Sequence, residues 1–228
     1  MNPAIFNALF VGKIQISLTD SAVLTADGAV QTFSAKAFGA ATVNRKIVAA
    51  WVVNRVSAET LTSVTIGGVT ATNDVTIADV NGGGQFCGIS SATVPTGTTG
   101  DIVITMSGSV QNAGVAVYRL IDAGAVYNTA TDNVSTADAM QANINIPAGG
   151  CAIAIAGFDG SVAARTCVWT NLTEDVDTTV EGTNTISTAS QTFDVAQTSL
   201  SITAQASGAL AGTNGSFSSF AVASWSPT

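Results

Sequence analysis

Hydrophobic and polar residues alternate with a period of two along much of this chain. In Lys13–Leu18 the apolar positions are Ile14, Ile16 and Leu18. Ile102, Ile104 and Met106 alternate with Val103, Thr105 and Ser107, and Met140, Ala142, Ile144 and Ile146 with Gln141, Asn143 and Asn145. Leu200, Ile202, Ala204 and Ala206 follow the same rule. Successive side chains of a strand point to opposite faces, so each stretch predicts a strand with one buried and one wet side. Ile47–Val53 and Cys151–Phe158 are instead apolar throughout, which predicts central strands covered on both faces.

Turn chemistry separates these runs. Gly67-Gly68 lies between Ser63–Ile66 and Val69–Thr72 and predicts a hairpin. Asn81-Gly82-Gly83-Gly84 reads as a loop, and Pro95-Thr96-Gly97 and Pro147-Ala148-Gly149-Gly150 end their strands. Helical periodicity is confined to a turn or two near Pro3–Phe10. The chain reads as all-β.

Element order then repeats. Ile47–Arg55, Leu61–Thr72, Gln85–Thr93, Asp101–Gly108 and Ala113–Leu120 are answered by Ala152–Gly160, Arg165–Asp175, Thr188–Val195, Ser199–Gly208 and Ser218–Trp225. Ala116-Val117 corresponds to Ala221-Val222, and Val64 to Val168. The implied organisation is an N-terminal arm or first strand over residues 1–19, a first antiparallel β-sandwich repeat over 20–122 and a second over 123–228. Two arrangements bury the same faces: two immunoglobulin-like or jelly-roll-like sandwiches, or one large jelly-roll sandwich built from both halves. The apolar segment Pro3–Val11 serves equally as a first strand or as an arm that docks on another subunit.

Composition narrows the function. The 228 residues include 15 acidic and 7 basic side chains, no histidine and three cysteines, for a net charge of −8. Nucleic-acid binding needs a dense basic surface, which this balance does not provide. Without histidine, Ser-His-Asp and Cys-His catalysis is impossible, and the commonest metal ligand is missing. Met1–Phe10 lacks the basic start of a secretory signal, and no apolar run reaches bilayer length, so the expectation is synthesis in a cytoplasm with no membrane partner.

Individual candidates point away from chemistry as well. Cys87, Cys151 and Cys167 sit in apolar or alternating stretches and read as reduced core residues. Trp51 and Trp225 read as core, while Trp169 stands where a strand meets Asn171. The densest acidic cluster, Glu174-Asp175-Val176-Asp177 with Glu181, reads as a solvated loop, with Ca²⁺ coordination as the functional alternative. No catalytic, cofactor-binding or metal-ligating residue is singled out, no cofactor is implied, and the chain reads as a non-enzyme.

Ile47–Arg55 (Ile-Val-Ala-Ala-Trp-Val-Val-Asn-Arg) followed by Leu61–Thr72 (Leu-Thr-Ser-Val-Thr-Ile-Gly-Gly-Val-Thr-Ala-Thr) resembles phage-encoded proteins. Thr93–Gly108 and Ile146–Gly150 carry the same resemblance. The family occurs in tailed phages and prophages of marine and related proteobacteria, and the likeness covers about Thr32 to Trp225. It implies a structural virion component, a head decoration or fibre or a tail-associated protein, that is a homo-oligomer in contact with other capsid or tail proteins. It transfers no site residues. The rival reading is a receptor- or glycan-binding adhesin module of a tail fibre, with the loops Asn81–Gly84, Asp159–Ala163 and Glu174–Glu181 as contacts.

Overall fold

The computed structural model describes residues 12–80, 83–134, 139–158, 165–182, 184–206 and 218–228. The segment Met1–Val11 and the loop Asp159–Ala163 lie outside these residues, as do Asn81 and Gly82. The first half of the chain forms β1 (Gln15–Leu24), β2 (Gly28–Ala37), β3 (Arg45–Arg55), β4 (Leu61–Ile66), β5 (Val69–Thr70), β6 (Thr72–Ala78), β7 (Gln85–Thr93) and β8 (Thr99–Ile121). The second forms β9 (Ala123–Val134), β10 (Ala139–Ile146), β11 (Cys151–Phe158) and β12 (Cys167–Thr170). It ends with β13 (Thr173–Glu181), β14 (Asn184–Thr192), β15 (Gln197–Ala206) and β16 (Ser218–Pro227). No described residue is helical, and every strand pairing is antiparallel.

Strand β8 explains how eight strands become two layers. Residues 99–110 pair with β2 and β4, whereas residues 110–121 pair with β1 and β3. The 23-residue strand therefore passes from one sheet to the other, with register shifts near Val110. The result is an outer sheet, β2-β8-β4-β5, facing an inner sheet, β1-β8-β3-β7-β6. The second half repeats the plan with separate strands. Its inner sheet runs β9-β16-β11-β14-β13 and its outer sheet β10-β15-β12.

The two sandwiches neither stand apart nor interleave their strands. They stack back to back, giving four layers and three apolar cores. Trp51, Phe33, Phe38, Val64 and Ile104 fill the first sandwich, and Ile144, Phe158, Ile202 and Phe220 the second. Val48, Ala50, Val52, Ile89, Leu120, Ile153, Ile155, Ala221 and Trp225 form a third core, the seam between the inner sheets. β3 and β11 thus bury both faces, as their uninterrupted apolar sequences predict.

The halves correspond residue by residue across the seam. Ala50 pairs with Ala116 and Ile155 with Ala221, so Val52 is equivalent to Gly157 and Gly114 to Ser219. Val52 also pairs with Cys87, and Gly157 with Ile186, making Cys87 and Ile186 equivalent. Packing follows a pseudo-two-fold axis. A methyl on Gly114 would sit 3.1 Å from Ile186, and the equivalent Ser219 lies close enough to Cys87 to affect its thiol. On the axis, a methyl on Gly157 would lie 2.5 Å from Cγ2 of its own counterpart, Val52.

Boundaries shift in detail. β1 starts at Gln15, so the predicted limit between residues 19 and 20 falls inside a strand, while the limit after Asp122 separates β8 from β9. The counterpart of Gln85–Thr93 is Asn184–Thr192, four residues earlier at its start than the predicted Thr188–Val195. Gly67 and Gly68 join β4 to β5 with φ of 59° and 78°, the doubly positive geometry of a two-residue hairpin turn. Arg45 is fully buried and ties the loops at one end of the first sandwich. Its Nε donates to Val94 O at 2.7 Å, Nη1 to Gly39 O at 2.9 Å, and Nη2 to Thr96 O and Gly97 O at 2.7 and 2.8 Å.

Candidate functional site

The acidic run Glu174–Glu181 is not a loop. It lies in β13, an edge strand of the second inner sheet, and its pairing with β14 holds it extended. Its carboxylates bind protein donors: Asp177 Oδ2 accepts from Cys167 N–H at 2.9 Å, and Glu181 Oε2 from Asn112 Nδ2 at 3.3 Å. Among the described residues no three histidine, cysteine or acidic side chains are grouped to hold a metal ion. Burial, reinforced by neighbouring carboxylates, raises the pKa of Glu174. Burial likewise raises Asp177.

One member of the run belongs to a device present in both repeats. β6 opens Thr72-Asn73-Asp74-Val75 and β13 opens Thr173-Glu174-Asp175-Val176. In each, the Asp is the extra residue of a β-bulge: Asn73 and Val75 pair with Ser90 and Ile89, Glu174 and Val176 with Ala189 and Thr188. A bulge re-aims the side chain it carries. Asp74 hydrogen-bonds Ser91, and Asp175 the equivalent Ser190. Both β6 and β13 are sheet edges, where a bulge with an inward carboxylate discourages pairing with a foreign strand.

The two copies are completed differently. Around Asp175, the Tyr118 hydroxyl reaches across the seam, 2.9 Å from Asp175 Oδ2 and 2.7 Å from Thr188 Oγ1. Burial, reinforced by Asp175, pushes the Tyr118 pKa well above the usual phenol range. Around Asp74, Ala223 stands where Tyr118 would be, and Ile89 where Thr188 would be. Asp74 Oδ2 is buried without a hydrogen-bond partner. Burial raises the Asp74 pKa to about 6, opposed by the Ser91 hydrogen bond and the Lys46 charge. Lys46 is itself lowered by burial, and its ammonium donates to Gly124 O in the second half.

Beside this group opens a cleft of about 250 Å³. Lys46, Thr70, Thr72, Ser91 and Thr93 supply its polar lining, and Val69 and Ala92 its apolar part. The Lys46–Asp74–Ser91 group is therefore the candidate site, and none of its residues stands out in the sequence. The signal that marks it is the repeated Thr-X-Asp-Val at the start of β6 and β13, together with Ser-X-Thr at the ends of β7 and β14.

The remaining candidates are structural. Trp51 and Trp225 are buried in the cores, Trp51 edge-on to Phe86 with ring centroids 5.4 Å apart. Trp169 lies half-buried on β12, donating to Ser187 Oγ at 2.8 Å and packing on Phe220. Cys87, Cys151 and Cys167 are buried and unbridged, and burial pushes each thiol up to about 12, so all are protonated at neutral pH. No family model matches the chain, nor does any curated protein or solved structure.

Proposed function

We propose that this protein is a non-enzymatic structural component of a tailed-bacteriophage virion, a stiff β module displayed on the head or tail. The observation that carries the reading is the four-layer stack. Two central sheets buried on both faces leave little freedom for hinge or shear between the repeats, which suits a spacer or decoration more than a moving part. The outer sheet β10-β15-β12 contains no charged residue, and Gln141, Asn143, Asn145, Thr170 and Gln205 are exposed on it. A polar, uncharged face can pack against a neighbouring subunit without stranding a buried charge. The phage assignment itself rests on the strand-and-turn resemblance of the sequence.

Absence of histidine and three protonated, buried thiols support the non-enzymatic part. The partners are other capsid or tail proteins and further copies of the chain, with no nucleic acid and no membrane. The protein is made in the host cytoplasm and finishes in the particle. Quantitative mass spectrometry of purified particles, combined with imaging of a labelled copy, tests this. The expected result is a fixed copy number per particle at one location. Recovery only from the soluble lysate overturns the proposal.

A further inference from the structure

The two flanks of the seam are held differently. On the β1/β13 flank the acidic side chains of β13 accept from the first repeat. Asp175 Oδ2 lies 2.9 Å from the Tyr118 hydroxyl, and Glu181 Oε2 lies 3.3 Å from Asn112 Nδ2. Negative charge there strengthens the contacts across the seam. On the β6/β9 flank the ties run through backbone carbonyls instead. Asn133 Nδ2 of β9 donates to Ala78 O of β6 at 2.7 Å, and the Lys46 ammonium donates to Gly124 O. The carboxylate of this flank, Asp74, takes no part in them, and its Oδ2 is buried without a hydrogen-bond partner. A buried acceptor without a donor is unfavourable, most of all when charged, so ionisation of Asp74 works against the closed flank.

Asp74 is placed to act on its own strand. It is the extra residue of a bulge in β6, an edge strand paired to β7 alone, so β6 can leave the sheet without breaking a second ladder. Its Val75 and Ile77 pack into the seam core beside Val126 of β9. The surroundings are sparse in charge. Lys46 of β3 favours the ionised form of Asp74, as does Ser91, but burial outweighs both. β7 presents Cys87 to the seam, and β4 and β16 carry no charged or titratable side chain. On β9, Asp132 accepts from Gln141 N–H of β10 at 2.8 Å, and Tyr127 is exposed. We propose that β6 is a proton-operated edge strand: it lies closed on the seam while Asp74 carries a proton and detaches locally when Asp74 ionises, uncovering Val75, Ile77 and Val126. The carboxyl proton passes to solvent, and the carboxylate gains the water donors that the closed flank withholds. The device goes beyond the structural role proposed above and does not depend on it.

Native-state hydrogen exchange of the ¹⁵N-labelled full chain, corrected for intrinsic exchange and run at about pH 5 and about pH 7.5, tests this. With Asp74 at about 6 in the closed form and at 3.8 once open, linkage makes opening about tenfold more frequent at the higher pH. The amides of the β6–β7 ladder should therefore lose about tenfold in protection. At the higher pH they should also exchange at a lower free energy than the amides of β3, which is buried on both faces. Asp74→Asn removes the titration and should hold protection constant with pH. Asp74→Ala serves the same purpose should the amide disturb the fold. The proposal fails if β6–β7 protection is the same at both pH values, or if it falls as much in the folded variants. It fails equally if these amides exchange only at the free energy of β3, which would tie release of the proton to global unfolding.

Discussion

The seam makes a sharp prediction at its axis. Placing a methyl on Gly157 puts it 2.5 Å from Val52 Cγ2 and 3.0 Å from Gln85 Oε1. Carbon atoms normally pack about 3.5–4.0 Å apart, so Gly157→Ala forces the sheets or side chains aside by roughly 1 Å. Gly157 has no positive φ, so the substitution meets no backbone penalty. The expected cost is the overpacking cost alone, about 1–3 kcal/mol, slightly offset by the stiffer unfolded chain. Val52→Ala removes two methyl groups from a side chain only 1% exposed, which costs about 1.5–3 kcal/mol.

In the double variant the clashing Cγ2 is absent and the new methyl occupies part of its space. The two changes should therefore be less harmful together than their sum, with a coupling of about 1–2 kcal/mol. Urea unfolding of the four proteins measures it, since each kcal/mol also moves Tm by about 2–4 °C at this chain length. Strict additivity would refute direct packing of β3 on β11, and with it the four-layer stack.

Three further outcomes are expected. Burial raises Asp74 from 3.8 to about 6, so the folded state holds its proton more tightly than the unfolded one, and stability falls as pH rises from about 4 to 6. Asp74→Asn abolishes that fall: its advantage over the wild type should be absent near pH 4 and reach about 1–3 kcal/mol by pH 7, whereas parallel stability curves would contradict the reasoning. Arg45→Met leaves the carbonyls of Gly39, Val94, Thr96 and Gly97 without their buried donor and should cost about 3 kcal/mol or more, read by chemical denaturation. Ellman's reagent should leave Cys87, Cys151 and Cys167 unmodified in the native protein and titrate all three in urea, so fast native labelling of any would count against the packing described.

Much of the fold was legible because alternation reports burial directly. β10 and β15 alternate as their sequences predict, and the unbroken apolar runs of β3 and β11 already required a second layer on each. The stacking itself was not legible, since separate and merged sandwiches bury the same faces until the seam is seen. β13 was misread for a local reason. The bulge at Asp175 shifts the side-chain parity midway, so Glu174-Asp175-Val176-Asp177 shows a charge cluster where the period of two is interrupted. β8 was read as two strands because Ser107–Asn112 is the corner at which it changes sheets, and its burial pattern changes there from one face to both. The candidate site was hidden because Asp74 is unremarkable alone. Only comparison with Asp175, through strand register, shows that a donor is missing.

The pairing of Val52 with Gly157 separates this chain from any dimer of identical subunits. In a symmetric dimer a side chain on the axis meets its own copy, so a large residue collides with itself and a small one leaves a void. Joining both repeats in one polypeptide removes that constraint, because the two axial positions are encoded separately. One became a knob and the other a socket. The same freedom put Tyr118 on one flank and Ala223 on the other, giving the Asp175 carboxylate a phenol donor and leaving Asp74 Oδ2 without a partner. An architecture nearly symmetric in its backbone is thus directional in its side chains, with two flanks free to take different neighbours.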